Sequence, residues 1–235
     1  MFSLSFFRNL MPYDVGPWWK YRHEVKEEML RVGSKPGDIL VRRGGAFLYG
    51  AFPFSDFICY LTNSKYSHAA MVIEVNSKDI LIADVDQKGL RRQFFEEWTD
   101  DMRGNDFAVL RVNDPDIAVR AADNARKLIE LDHGYDYGFA QRKNQECNFY
   151  CTELVCWSYM RAGLKLCDDT KIEDLPNWKS WMFPLAYLEG IDPRAGVWHV
   201  GSSKSGILSS PYLYVHAIMQ KPKIQTKKPL KKELI

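Results

Sequence analysis

Apolar and polar positions along the chain follow two periods, one typical of strands and one typical of helices. Short runs rich in β-branched and other apolar residues predict strands within 35–44 and at 68–75, 79–85, 106–112 and 212–219. The polar stretch "NSKD" lies between the second and third of these runs. It predicts a tight hairpin that pairs the two strands in antiparallel fashion.

Helical periodicity appears in three longer stretches, each with a start or stop signal. Residues 17–32 form an amphipathic pattern that Gly33 ends, and 149–163 form another that ends at Gly163. The pattern over 114–131 begins with Asp114 as a cap and Pro115 at the first helical position.

The arrangement of these elements predicts one α+β domain over residues 1–219. Residues 1–34 would be an N-terminal helical extension of that domain, and no internal repeat or flexible linker divides it. An aromatic-rich insert, defined as residues 46–61, precedes the second predicted strand, and a loop-rich segment with several tryptophans covers 168–200.

Charge adds little to this picture except at the C-terminus. The net charge of +2 gives no general reason to expect nucleic acid as a partner. Residues 220–235 carry six lysines and few bulky apolar groups, which predicts a flexible, solvated basic tail. Weak attraction of this tail to an anionic membrane surface is the alternative.

The five cysteines are an odd number and form no small-domain disulfide framework. Reduced thiols, and so a cytoplasmic setting, are expected. The spacing of Cys147, Cys151 and Cys156 does not match a zinc site, so we expect no metal and no cofactor. The chain start shows no convincing signal peptide, and no apolar run is long enough for a transmembrane helix.

Cys151 stands out among the cysteines because "FYCTELVCWSYMRAG" places it at the start of a predicted helix. A buried cysteine is commonly a small core residue, and Cys156 fits that description. With Asn148 as the cap, Cys151 falls in the first helical turn, where the helix dipole favours a thiolate. Glu153 in the same turn opposes a nearby thiolate and suits a capping or positioning role.

A nucleophilic cysteine needs a base, and His68 is the best placed of five histidines. It opens an apolar strand, from whose mouth a side chain can project into a cleft. Asp84, in the next predicted strand, falls opposite residues 68–71 if "NSKD" is a tight hairpin, and could orient the imidazole. Glu74 is the alternative, although it lies near the turn.

At this point the chain resembles a known family. The segments "GDILVRR", "YSHAAMVIEV", "LIADV", "YDYGF" and "FYCTELVCWSYMRAG" occur in the order found in circularly permuted papain-like amidases of the YaeF/YiiX type, within the NlpC-like cysteine peptidase superfamily. Histidine precedes cysteine here, as in permuted members. The resemblance covers about residues 36–163.

The resemblance implies a fold and a set of catalytic residues. The fold would be a half-barrel of antiparallel strands with the cysteine helix packed against it. Cys151 would be the nucleophile, His68 the base and Asp84 the acid on the next strand. The backbone N–H of Cys151 would stabilise an oxyanion, and Tyr137 is a weaker candidate donor.

Three functions are compatible with this reading. The first is a cysteine hydrolase that cleaves amide, ester or thioester bonds through an acyl-enzyme. The second is an acyltransferase with the same dyad, and the third is a non-catalytic binding module. The partner would be a small-molecule, lipid or peptide acyl substrate, and the aromatic insert and the segment holding Trp178 and Trp181 are expected to wall its cleft.

Overall fold

The computed structural model describes residues 18–45, 54–100, 102–131, 134–136, 148–188 and 190–221. Tyr137, Cys147, most of the basic tail and the first half of the aromatic insert therefore lie outside the described residues. The helices are α1 (Arg22–Arg31), α2 (Phe54–Leu61), α3 (Phe95–Thr99), α4 (Pro115–Ile129), α5 (Cys151–Arg161) and α6 (Phe183–Leu188). The strands are β1 (Ile39–Arg43), β2 (His68–Val75), β3 (Ile80–Asp86), β4 (Gly89–Phe94), β5 (Arg103–Val112), β6 (Gly134–Tyr135), β7 (Asn148–Phe149), β8 (Thr170–Lys171), β9 (Gly196–Val197) and β10 (Leu213–Gln220).

Six of these strands form one antiparallel sheet in the order β10-β5-β1-β2-β3-β4. The sheet is open, with β10 and β4 at its edges, so it is not a closed barrel. The hairpin predicted around "NSKD" joins β2 to β3, and Met71 pairs with Ala83 across it. The result is a mixed α+β fold whose central layer is this sheet.

Both faces of the sheet are covered, which gives the protein two main hydrophobic cores. On one face α4 and α5 pack against alternate residues such as Ile39, Met71 and Ala83. On the other face the N-terminal turn, α1 and α3 cover the intervening residues, among them Leu40 and Ile82. This explains why the strands read as continuous apolar runs, since strands buried on both sides lose the usual alternation.

The N-terminal helical segment is part of the second core. Trp18, in a 3-10 turn at Trp18–Tyr21, is fully buried, and its indole N–H donates to the Gly104 carbonyl at 2.8 Å. Its ring meets Phe107 edge-on. Residues from Trp18 onward therefore help to cover the sheet.

Several elements were not predicted from the sequence, among them β4 and α3, which lie beside β3 in the main sheet. The strand sequence "GLRRQF" contains too many polar residues to show an apolar period. In the fold its residues occupy buried, half-buried and exposed positions.

Among the described residues no helix has the length and apolar character needed to span a membrane. The four described cysteines, Cys59, Cys151, Cys156 and Cys167, are free thiols.

Replacing Trp18 should test whether the N-terminal turn belongs to the core. Trp18→Ala removes a fully buried side chain, so the free energy of unfolding should fall by about 3–5 kcal/mol. Urea denaturation followed by circular dichroism measures this change. The control is Trp19→Ala, since Trp19 is 53% exposed and its loss should change the unfolding free energy by less than about 0.5 kcal/mol. Equal effects of the two substitutions would contradict this packing.

Candidate functional site

Cys151 is the first residue of α5, so its sulfur lies at the positive end of the helix dipole. The cap residue is Tyr150, in extended conformation and without a side-chain cap bond, so the prediction of Asn148 as the cap is wrong. Asn148 instead belongs to β7.

The start of α5 is held by a distant segment of the chain. The backbone N–H of Trp198 donates to the Tyr150 hydroxyl at 2.9 Å, and the Thr152 hydroxyl donates to the Trp198 carbonyl at 2.7 Å. These two bonds flank Cys151 in sequence. They fix the helix terminus where a local cap would otherwise be needed.

His68 is the first residue of β2 and pairs with Arg42 on β1. Its ring lies beside the Cys151 sulfur, and the backbone N–H of Ala69 also faces that sulfur, so that both interactions favour the charged thiolate. The beginning of β2 therefore presents both a ring nitrogen and a backbone donor to the thiol.

Asp84 lies on β3 and contacts the other side of the same imidazole. His68 Nε2 is 2.7 Å from Asp84 Oδ1, so Nδ1 is the ring nitrogen left to face Cys151. Glu74, the alternative acid, is exposed and pairs with Leu81 farther along the hairpin. The structure thus brings Cys151, His68 and Asp84 into one chain of contacts.

The charges in this chain support one another. Burial lowers the pKa of His68, but the negative charges of Asp84 and Cys151 outweigh it and raise that pKa to about 10. Burial raises the pKa of Cys151, yet the His68 charge and the hydrogen bonds from His68 and Ala69 bring it below its usual value. Burial likewise opposes ionisation of Asp84, whereas His68 and Arg42 lower its pKa. The arrangement favours a thiolate–imidazolium pair with an ionised carboxylate behind it.

A polar and aromatic layer that sequence reasoning missed lies behind Asp84. The Gln93 side-chain amide donates to Asp84 Oδ2 at 2.7 Å, and the Arg42 guanidinium stacks over the Trp98 ring with 4.6 Å to its centroid. Gln93 lies on β4 and Trp98 on α3, two elements that the sequence pattern did not predict. No local signal in "GLRRQF" indicates a contact with Asp84.

The remaining predicted site residue with coordinates is Glu153. It is buried in the first turn of α5. Burial raises the pKa of Tyr150, and the charge of Glu153 raises it further. A substrate-binding role for Glu153 stays a prediction, and Tyr137 lies outside the described residues.

The described part of the aromatic insert packs against the tryptophan-rich segment. The Asn177 backbone N–H donates to the Leu61 carbonyl, and its side-chain amide donates to the Tyr60 carbonyl. A third apolar cluster forms between α2 and residues 172–197. We call α2 together with residues 172–197 the insert lobe.

The insert lobe borders both halves of the site. On one side a Cβ on Gly44 would lie 2.9 Å from Ser55 Oγ in α2 and 3.6 Å from the Cβ of His68, so α2 begins close to His68. On the other side Trp198, which directly follows the lobe in sequence, bonds to the start of α5.

The side chains of Cys151, His68 and Asp84 do not converge on one point. Asp84 and Cys151 contact opposite sides of the His68 imidazole. Across the part of the chain that the structure describes, no group of three or more His, Cys, Asp or Glu side chains is placed to hold a metal ion. A metal centre therefore does not fit the geometry of these residues.

Comparison with known proteins gives a match to a protein family and a resemblance to solved structures. The family described as "Permuted papain-like amidase enzyme, YaeF/YiiX, C92 family" matches residues 35–184, more than half of the chain. The fold resembles the crystal structure of the metalloprotein yiiX from Escherichia coli O157:H7, with a TM-score of 0.59 and 18% sequence identity over 80% of this chain and 97% of that one. No curated protein matches the sequence.

The four described thiols should differ in reactivity. Limiting iodoacetamide at pH 6–7 should alkylate Cys151 first, because its thiolate is stabilised and the residue is partly accessible. Cys59, whose pKa burial raises to about 11, and Cys156, whose pKa burial also raises, should stay unmodified. Peptide mapping by mass spectrometry measures the order.

Cys167 is the informative competitor in that experiment. A hydrogen bond from Cys156 lowers its pKa, but its sulfur has no histidine beside it among the contacts described. Faster labelling of Cys167 than of Cys151 would remove the reason for treating Cys151 as the nucleophile.

Proposed function

The chain belongs to the YaeF/YiiX family of permuted papain-like amidases, and we propose that it is a cysteine hydrolase that cleaves an amide, ester or thioester bond through Cys151, His68 and Asp84. The observation that carries the proposal is the paired contact of the His68 ring, which meets Cys151 on one side and Asp84 Oδ1 on the other at 2.7 Å. This is the relation that a nucleophile, its base and an orienting acid require.

The first half of the reaction forms an acyl-enzyme. The Cys151 thiolate attacks the carbonyl carbon of the substrate, and the π electrons of the carbonyl move to its oxygen. When this tetrahedral species collapses, the bond to the leaving group breaks and the His68 imidazolium gives its proton to the departing nitrogen, oxygen or sulfur. The acyl group is then bonded to the Cys151 sulfur, and His68 is neutral.

The second half releases the acyl group. Water attacks the thioester carbon while neutral His68 takes a proton from it, and collapse expels the Cys151 thiolate. The products are a carboxylic acid and the first leaving group, and the thiolate–imidazolium pair is restored. Asp84 keeps the same tautomer and orientation of the ring throughout, since Nε2–H stays directed at its carboxylate.

The helix terminus supplies the group best placed to stabilise the oxyanion. Cys151 occupies the first position of α5, where backbone N–H groups have no partner within the helix. Its own N–H lies next to the attacked carbon and can donate to the developing negative charge. Tyr137 remains the proposed second donor.

Trapping the acyl-enzyme tests the proposal. Incubation with p-nitrophenyl esters of short and long acyl chains should add one acyl mass to the wild type and none to Cys151→Ala, as read by intact-mass spectrometry. Cys167→Ala is the matched control, because it removes a partly exposed thiol outside the site and should leave acylation intact.

The fate of the acyl group separates a hydrolase from a transferase. A hydrolase releases the free acid even with an added amine or alcohol acceptor present, whereas a transferase passes the acyl group to the acceptor. Absence of any acyl adduct on Cys151 with ester, thioester and amide probes would contradict a covalent mechanism.

The rate of acylation should depend on pH in two steps. The rate rises as the Cys151 thiol loses its proton, below the usual thiol range because its pKa is lowered, and falls as His68 loses its proton near pH 10. In Asp84→Asn the charge that raises the His68 pKa is gone, so the alkaline limb should move to lower pH and the acid limb to higher pH. Stopped-flow measurement of p-nitrophenol release gives both limbs. Identical profiles for the two proteins would exclude Asp84 from the site.

A further inference from the structure

Asp84 is held by more than His68. Its Oδ1 accepts hydrogen bonds from His68 Nε2 at 2.7 Å and from the Val85 backbone N–H at 2.9 Å. Its Oδ2 accepts from Gln93 Nε2 at 2.7 Å, and both side chains are buried. The carboxylate therefore has a donor on each oxygen.

The sheet register explains this contact. Asp84 pairs with Arg91 across β3 and β4, and Ile82 pairs with Gln93. Asp84 and Gln93 thus lie on the same face as diagonal neighbours, within reach of a long side chain. An ionised carboxylate only accepts hydrogen bonds, so Gln93 must present its amide NH₂ group.

We infer that Gln93 is a positioning residue of this site, whose amide fixes the rotation of the Asp84 carboxylate so that Oδ1 stays directed at His68 Nε2. The inference rests on the proposed function, because it concerns the same three residues. The last side-chain torsion of an aspartate is broad, so bonds to Oδ1 alone leave the carboxylate free to rotate about that oxygen. The bond from Gln93 to Oδ2 defines its plane.

Charged groups from three strands face Asp84. These are Arg42 on β1, His68 on β2 and Arg91 on β4, whose guanidinium pairs with Asp86 and also feels the Asp84 charge. Arg42 and Arg91 remain in a Gln93 variant and continue to favour the ionised carboxylate. Loss of Gln93 therefore acts mainly on the orientation of Asp84, and through it on the thiolate–imidazolium pair.

Gln93→Met is the test, because methionine keeps the length of the side chain and removes the donor. The rate of Cys151 alkylation by iodoacetamide, followed against pH, reports the thiolate population without requiring a substrate. We expect its midpoint to rise by about one pH unit, which lowers the rate at pH 6 roughly tenfold. The rate of acylation by an ester should fall by a similar factor.

A control separates positioning from stability. Ser34→Ala also removes a buried hydrogen bond, from Ser34 Oγ to the Met29 carbonyl at 2.7 Å, in a turn without contact to Asp84. It should lower the melting temperature and leave the alkylation midpoint unchanged. A folded Gln93→Met protein with the wild-type midpoint would overturn the inference.

If Gln93→Met does not fold, Gln93→Glu decides. The introduced carboxyl must share a proton with Asp84 and can donate to it only while that proton is bound. The ratio of the Gln93→Glu alkylation rate to the wild-type rate should therefore decrease as the pH rises from 6 to 8. A ratio that stays constant over this range would overturn the inference. A wild-type Cys151 that titrates as an ordinary thiol would instead contradict the proposed function, on which this inference depends.

Discussion

The bond between His68 and Asp84 is the interaction on which the site depends. A carboxylate in the middle of a buried strand is costly unless it is paired and hydrogen-bonded. Asp84 is 1% exposed, and three donors together with the Arg42 charge hold it there in ionised form. The carboxylate in turn raises the pKa of the His68 imidazole, and the His68 charge lowers the pKa of the Cys151 thiol. Each step of this chain requires the one before it.

The fold brings the two halves of the site together by separate means. The hairpin of β2 and β3 places His68 and Asp84 on rigid strands, whereas Cys151 comes from a helix on the α4/α5 face of the sheet. The helix terminus is aligned by Tyr150 and Thr152, which both bond to Trp198. Since Trp198 follows the insert lobe in sequence, changes in that lobe can alter the position of Cys151, the residue that we propose as the nucleophile.

Sequence reasoning was most successful where contacts are local. The β2–β3 hairpin could be predicted from "NSKD" and its flanking apolar runs, and with it the proximity of His68 and Asp84. The cap of α5 could not be predicted in this way. The cap residue Tyr150 is held by Trp198, which lies 48 residues away along the chain. Gln93 was missed for a related reason, since its strand carries polar residues whose burial depends on a network that the sequence does not display. The irregularity between Val72 and Glu74, which shifts the hairpin register, also could not be predicted from the sequence pattern.

The protonation state of His68 tests the central claim most directly. In uniformly ¹⁵N-labelled protein at pH 7, NMR of the imidazole nitrogens reports whether one or both carry a proton. A His68 pKa near 10 predicts an imidazolium with both nitrogens protonated, and Asp84→Asn should shift the ring toward the neutral form. A neutral single tautomer of His68 in the wild-type protein at pH 7 would contradict a thiolate–imidazolium pair supported by Asp84.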